Sequence, residues 1–316
     1  MPAILTILDD YQSIALDSAD WSEVREHFEI DVVTEHIDDV DALVERLSGS
    51  QVVVAMRERT AFPSEVFERL PELRHFVTTG MANASVDIAA AKARGVVVTG
   101  TEGSGREVAE LVIGMMIALA RNIVAEDAAL HADGWQHTIG TRLEGRTLGL
   151  LGLGKQARWV AELALAFRMR VVGWSPSLTP ERAAAHGVAA VSREELFEGS
   201  DFLSVHVPLT EATRGIIGAE ELATMKETAF LINTSRGPIV DSEALMMALM
   251  VDTLAGAALD VYDVEPLPLK DPLRKLSNVL LLPHIGYVTR EVYDVFYGQA
   301  VENVLAVLSG TPVREL

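Results

Sequence analysis

Three polar residues stand just past successive apolar runs in the second half of this 316-residue chain: Arg236 after 229–233, Glu265 after 255–260 and His284 after 279–282. Each lies in a turn that carries Gly or Pro. Taken together, their types suit one kind of chemistry. A fixed guanidinium orients a 2-oxo acid through its carboxylate and carbonyl oxygen. An imidazole delivers or removes the hydroxyl proton while a hydride moves. A carboxylate bonded to that imidazole fixes its tautomer and favours its protonated form. Taken singly, each has a plainer reading: a surface cation, a structural histidine, a solvated Glu before Pro.

The elements that would position them are announced by the stretch 147–157. An apolar run, 148–153, ends in Gly152-x-Gly154-x-x-Ala157, a helix-like segment covers 158–167, and a second apolar run, 170–174, follows. Strand, glycine turn, helix and strand are the order that a dinucleotide site requires. The first glycine permits the turn, the second lets backbone approach a pyrophosphate, and the small third residue lets helix pack on strand. Gly152, Gly154, Lys155 and Gln156 are therefore the expected cofactor contacts, with the helix N-terminus facing the anion.

Alternation of strand and helix continues on both sides. Strands are expected at 3–8, 30–33, 51–55, 73–77 and 95–99, and again from 148 to 282. Helices are expected at 21–28, 41–47, 63–70 and 86–94, with one long helix or a tandem pair at 105–131 and a last helix at 291–308. Such alternation with short links predicts an α/β fold with parallel, doubly wound sheets, whose ligands sit at the C-terminal ends of strands. The loops after 55 and 77 become candidate substrate loops. Arg57 in the first of them could reach a second anionic group on a substrate, or could simply pair with Glu58.

Charge narrows the partners. The chain has 26 basic against 46 acidic residues, a formal charge of −20. That disfavours nucleic acid and anionic membranes, which demand a basic footprint. No cysteine is present, which excludes disulfides, thiolate metal sites and a Cys nucleophile. No metal site is expected. The longest apolar run, 111–120, is about half a membrane span, and the N-terminal stretch lacks a basic region and a long apolar run, so a cytoplasmic protein is expected.

The chain resembles the D-isomer-specific 2-hydroxyacid dehydrogenases. The resemblance covers nearly its whole length and rests on Leu151-Gly-Leu-Gly-Lys155, His206-Val-Pro-Leu-Thr210, Asn233-Thr-Ser-Arg-Gly237, Ala258-Leu-Asp-Val-Tyr-Asp-Val-Glu-Pro266 and Pro283-His-Ile-Gly286. It implies that Arg236 binds substrate, that His284 is the acid/base and that Glu265 is its partner. It further implies that amides near Gly80 and Met81 hold the substrate carboxylate, and that Pro208, Thr234 and Asp260 lie along the cofactor. The implied architecture is two Rossmann-like domains. A substrate domain, 1–100 completed by 287–316, would receive the dinucleotide-binding domain, 101–286, as an insertion. A homodimer through the cofactor domain, with the loop of Trp135 near the partner, is implied as well.

Departures from the family pattern bear on the cofactor. The strand 170–174 ends in Trp174-Ser175-Pro176, where NAD-specific members carry an acidic residue. Ser175 cannot hold the ribose 2′-OH as a carboxylate would, and does not repel a 2′-phosphate, so NAD or NADP is expected. Arg182 is the nearest downstream arginine. Tyr287 stands where small residues are common. The leading expectation is a reductase of a small 2-oxo acid, or the reverse D-2-hydroxyacid dehydrogenase. The alternative, a cofactor-sensing, corepressor-like binding protein of the same fold, would show no turnover.

Overall fold

A computed structural model describes residues 3–316; Met1 and Pro2, part of the stretch read for a leader, lie outside the described residues. The chain divides into two compact units, one running to Ser104 and completed by Val288–Leu316, the other Gly105–Tyr287.

In the first unit the strands are β1 (Ala3–Ile7), β2 (Phe28–Val32), β3 (Ser50–Ala55), β4 (His75–Thr78) and β5 (Val97–Gly100). All neighbours pair in parallel, in the order β2-β1-β3-β4-β5. This is the flavodoxin-like winding, with its switch point between β1 and β3. Phe62, Phe67 and Phe76 meet at centroid separations of 4.6 to 5.7 Å and centre one core cluster. The helix expected at 21–28 is shorter, Ser22–Arg25, because Phe28 already pairs with Ala3 as the first residue of β2. Residues 101–104 belong here and not with the second unit. Thr101 Oγ1 accepts the Gly80 amide at 2.8 Å, and the Glu102 amide donates to Gln299 Oε1 at 2.7 Å.

The second unit holds β6 (Thr147–Leu151), β7 (Arg170–Trp174), β8 (Ala189–Ala190), β9 (Phe202–Val205), β10 (Phe230–Asn233), β11 (Gly256–Leu259) and β12 (Val279–Leu281). Their spatial order is β12-β11-β10-β9-β6-β7-β8. Counted within the unit this is the Rossmann winding, and it reverses between β6 and β9. The strand side chains alternate between two cores. Leu148, Leu150, Phe202, Ile232 and Ala258 face one layer; Leu151, Leu203, Val205, Leu231, Ala257 and Leu259 face the other. Burial on both faces is why these strands read as unbroken apolar runs.

The long helical stretch is a tandem pair. Arg106–Arg121 buries seven residues, among them Val112, Met115 and Met116. Asn122, at φ +52°, ends it and turns the chain by 61° into Ile123–His131. Among the described residues no single helix is long and apolar enough to cross a membrane.

Two histidines, one in β4 and one just past β9, have lowered pKa values. His75, 1% exposed, shares a 2.9 Å hydrogen bond with Thr99 Oγ1, and burial lowers its pKa to about 4. Burial likewise lowers His206, bonded to Ser204 Oγ at 2.8 Å, to about 4. An unfolded histidine titrates near 6.5. Between those two values the unfolded chain takes up a proton that the folded one refuses. The stability due to neutral His75 is therefore complete above about pH 6.5 and falls away as pH drops toward 4. Denaturant titrations of wild type and His75→Gln from pH 8 to 4.5 should show the wild type losing about 2 kcal/mol more of the first unit's stability over this range. Parallel pH profiles would refute a neutral, buried His75.

Candidate active site

The glycine turn is made by close backbone packing. Gly152 has φ +97°, and its amide donates to Trp174 O at 2.8 Å. A Cβ there would lie 2.9 Å from His206 O and 3.0 Å from Val207 Cγ1, so the turn admits glycine alone. Gly154 opens the helix Lys155–Ala166, and a Cβ at Gly154 would meet nothing within 4 Å. Backbone there faces open space, as a pyrophosphate cradle must. Ala157 is fully buried between helix and sheet, so the missing third glycine costs no packing. Lys155 Nζ lies 5.2 Å from the Trp159 ring. Gln156 Nε2 would sit 3.3 Å from a Cβ on Gly105, so Gln156 packs on the head of Arg106–Arg121.

The other expected cofactor residues follow neighbouring strands. Ser175 leaves β7 beside Gly152, because Leu151 pairs with Trp174. Pro208 follows β9, and its carbonyl accepts the Thr213 hydroxyl at 2.6 Å. Thr234 follows β10; its Oγ1 is buried and has no hydrogen-bond partner among the described residues. A buried hydroxyl without a partner at the C-terminal end of β10 fits a polar dinucleotide.

Glu265 and His284 are brought into direct contact, Oε2 to Nδ1, at 2.6 Å. A carboxylate only accepts, so Nδ1 carries the hydrogen of this bond. Both residues are held from outside the pair. The Tyr262 amide donates to the second Glu265 oxygen at 2.8 Å. The Tyr262 hydroxyl ties the exits of β11 and β12, donating to Leu259 O at 3.1 Å and Leu282 O at 2.8 Å. Burial raises the pKa of that hydroxyl. Asp260, 1% exposed, accepts the amides of Ile285 at 2.7 Å and Gly286 at 2.8 Å. Those bonds fix the turn that begins at His284, whose φ is +53°. Burial raises the Asp260 carboxyl against the pull of the two amides and of His284. Tyr287 meets the imidazole edge-to-face at 5.8 Å.

Arg236 stands in the turn after β10. Asn233, 1% exposed, donates from Nδ2 to Arg236 O at 2.9 Å and accepts the Ser235 amide at 3.0 Å. Gly237 then lies so close to Tyr262 that a Cβ would fall 2.1 Å from its carbonyl carbon. The Arg236 turn and the Glu265 turn are thus packed backbone on backbone. Tyr262 and Asn233 were not singled out in the sequence, although a polar residue at or just past a strand exit is the signal that marks both.

In the first unit, Arg57 has φ +52°, its amide donates to Thr79 Oγ1 at 2.8 Å, and its Nη1 donates to Thr79 O at 3.3 Å. Its Nε lies 3.5 Å from Glu58, the pairing that the plainer reading anticipated. The guanidinium covers Gly80 at φ +98°, where a Cβ would come within 1.8 Å of Nη1. The Gly80 amide, expected to meet a substrate carboxylate, donates to Thr101 Oγ1 in this structure. Met81 beside it is 44% exposed. Asn83, also unanticipated, binds Arg57 O at 2.6 Å and Thr78 Oγ1 at 2.8 Å and so holds the loop.

Residues 113–286 match the family model for the D-isomer specific 2-hydroxyacid dehydrogenase, NAD binding domain. A glyoxylate reductase of Korarchaeum cryptofilum is 36% identical over 92% of this chain and 89% of that protein. A hydroxypyruvate reductase of Thermotoga maritima is 38% identical over 87% of this chain and 90% of its own length. The crystal structure of a phosphoglycerate oxidoreductase from Vibrio cholerae O395 superposes with a TM-score of 0.92 at 33% identity, covering 98% of this chain and 99% of that one. The Rossmann unit, the glycine turn and these likenesses agree: the chain belongs to the D-isomer-specific 2-hydroxyacid dehydrogenase family and is an NAD-dependent oxidoreductase exchanging a hydride with a small 2-hydroxy or 2-oxo acid.

Proposed function

We propose that His284 is the general acid/base of a small 2-oxo acid reductase, Glu265 its positioning partner and Arg236 the cation that orients the substrate. The 2.6 Å bond between Glu265 and His284 carries this reading. When bound, the nicotinamide supplies or accepts the hydride. In the reductive direction His284 gives its Nε2 proton to the carbonyl oxygen as negative charge develops there, and in reverse it takes that proton back. Glu265 stabilises the imidazolium and keeps Nε2 turned outward. The Arg236 guanidinium offers a planar fork to the substrate carboxylate. Asp260 acts on this chemistry through the backbone of 285 and 286.

The amides of the 152–156 turn and Lys155 would hold the pyrophosphate. Thr234 Oγ1 and the Pro208 segment would line the remainder. In the first unit we assign substrate contact to the Met81 amide and to Arg57, with Gly80 as the seat of the Arg57 guanidinium. The relatives named above suggest glyoxylate or hydroxypyruvate; Arg57 favours a substrate with a second polar or anionic group. Because Ser175 replaces a carboxylate, we infer that NADP is accepted as well as NAD. We also propose a cytoplasmic homodimer that covers the exposed Trp135 and Ile139, which are 77% and 98% exposed.

His284→Gln should lower kcat by about 100-fold or more while cofactor affinity stays near wild type. Steady-state kinetics with a reduced cofactor titration measure both, and an unchanged kcat would remove His284 from the reaction. Arg57→Ala should raise KM for 2-oxo acids bearing a second anionic group by about tenfold and leave glyoxylate little affected. An equal, negligible effect across the series would make Arg57 a surface partner of Glu58.

A further inference from the structure

The residues directly after Ser175 carry no cation that could meet a 2′-phosphate, but folding brings one back to that turn. The pairing of Leu151 with Trp174, and the 2.8 Å bond from the Gly152 amide to Trp174 O, set Ser175 beside the glycine turn. An adenosine ribose is read at this strand end. The chain then turns at once, with the Leu178 amide donating to Ser175 O at 3.1 Å. Thr179 caps the short helix Pro180–Ala184 by accepting the Arg182 amide at 3.3 Å. This reversal brings the Arg182 side chain back, and its Nη1 donates to Ser177 O at 2.8 Å.

A guanidinium seven positions downstream is thus tethered to the turn that leaves Ser175. Arginine has five N–H donors, and Arg182 is exposed with the bond to Ser177 O as its one side-chain hydrogen bond among the described residues. The hydroxyls of Ser175 and Ser177 flank the same turn. Glu181, the one carboxylate in 175–186, is turned to the Thr179 hydroxyl and to its own amide. In a chain of charge −20, a dianion binds here only where a cation is fixed locally.

We propose that Arg182, with the Ser175 hydroxyl, binds the 2′-phosphate of NADP and sets the cofactor preference of this enzyme. The proposal rests on the reading that NADP is accepted. A guanidinium already held by one bond loses little freedom when its remaining donors meet a phosphate, and the planar fork suits phosphate oxygens.

Calorimetric titration with adenosine 2′,5′-bisphosphate and 5′-AMP tests this without turnover. Wild type should bind the bisphosphate more tightly than AMP. Arg182→Ala should lose at least about tenfold in affinity for the bisphosphate and less than about twofold for AMP. Arg182→Lys should retain part of the difference, because the charge remains while the fork is lost. If Arg182→Ala keeps the wild-type preference, the assignment to Arg182 is wrong while NADP use stands. If it weakens both ligands equally, Arg182 serves only to hold the turn and the proposal is wrong. If wild type shows no preference for the bisphosphate, NADP acceptance itself fails.

Discussion

The chemistry proposed for this chain depends on one hydrogen bond, Glu265 Oε2 to His284 Nδ1, and that bond depends on two turns held in register. The partners belong to different strand exits, β11 and β12. Two side chains lock those exits together. Tyr262 joins the carbonyls of Leu259 and Leu282 through its hydroxyl and steadies Glu265 through its amide. Asp260 clamps the backbone just past His284 through two amides. Parallel pairing of β11 and β12 supplies the spacing, and these polar contacts supply direction. Satisfied networks of this kind define a single geometry, which the proposed proton carrier needs more than it needs strength.

The same economy governs the glycine positions. Gly152 and Gly237 tolerate no side chain because the backbone of a neighbouring strand exit occupies the space: His206 in one case, Tyr262 in the other. Successive strand exits of the Rossmann unit therefore pack on one another, from the glycine turn after β6 to the His284 turn after β12. In the first unit the equivalent contact is made by a side chain, with the Arg57 guanidinium lying over Gly80. There the strained positive φ of Arg57 persists because Thr79 and Asn83 hold the loop on both sides.

Much of this was legible in the sequence because it is local. Apolar runs between glycine and proline turns mark strands buried on both faces, and the residues just beyond them mark the candidate site. Arg236, Glu265 and His284 stand out by that rule alone. What the sequence hid depends on distant partners. The Gly80 amide looks available until Thr101, from beyond β5, is seen to accept it. Arg182 looks too remote from Ser175 until a five-residue helix folds it back onto Ser177. The helix expected at 21–28 is cut short by the pairing of Phe28 with Ala3, a choice made by the sheet and not by the segment. Asn122 divides the long helix through a left-handed backbone angle that periodicity does not report.

The central claim is that the His284–Glu265 pair moves a proton at the hydroxyl of a D-2-hydroxy acid while a nicotinamide carries the hydride. Its most direct test is to follow the reduced-nicotinamide absorbance band with a panel of small 2-oxo acids and to resolve the product by chiral chromatography. The account predicts loss of the band with at least one 2-oxo acid and a D-2-hydroxy acid as the sole product. An L-product, or no loss of the band with any 2-oxo acid and either cofactor, would contradict it.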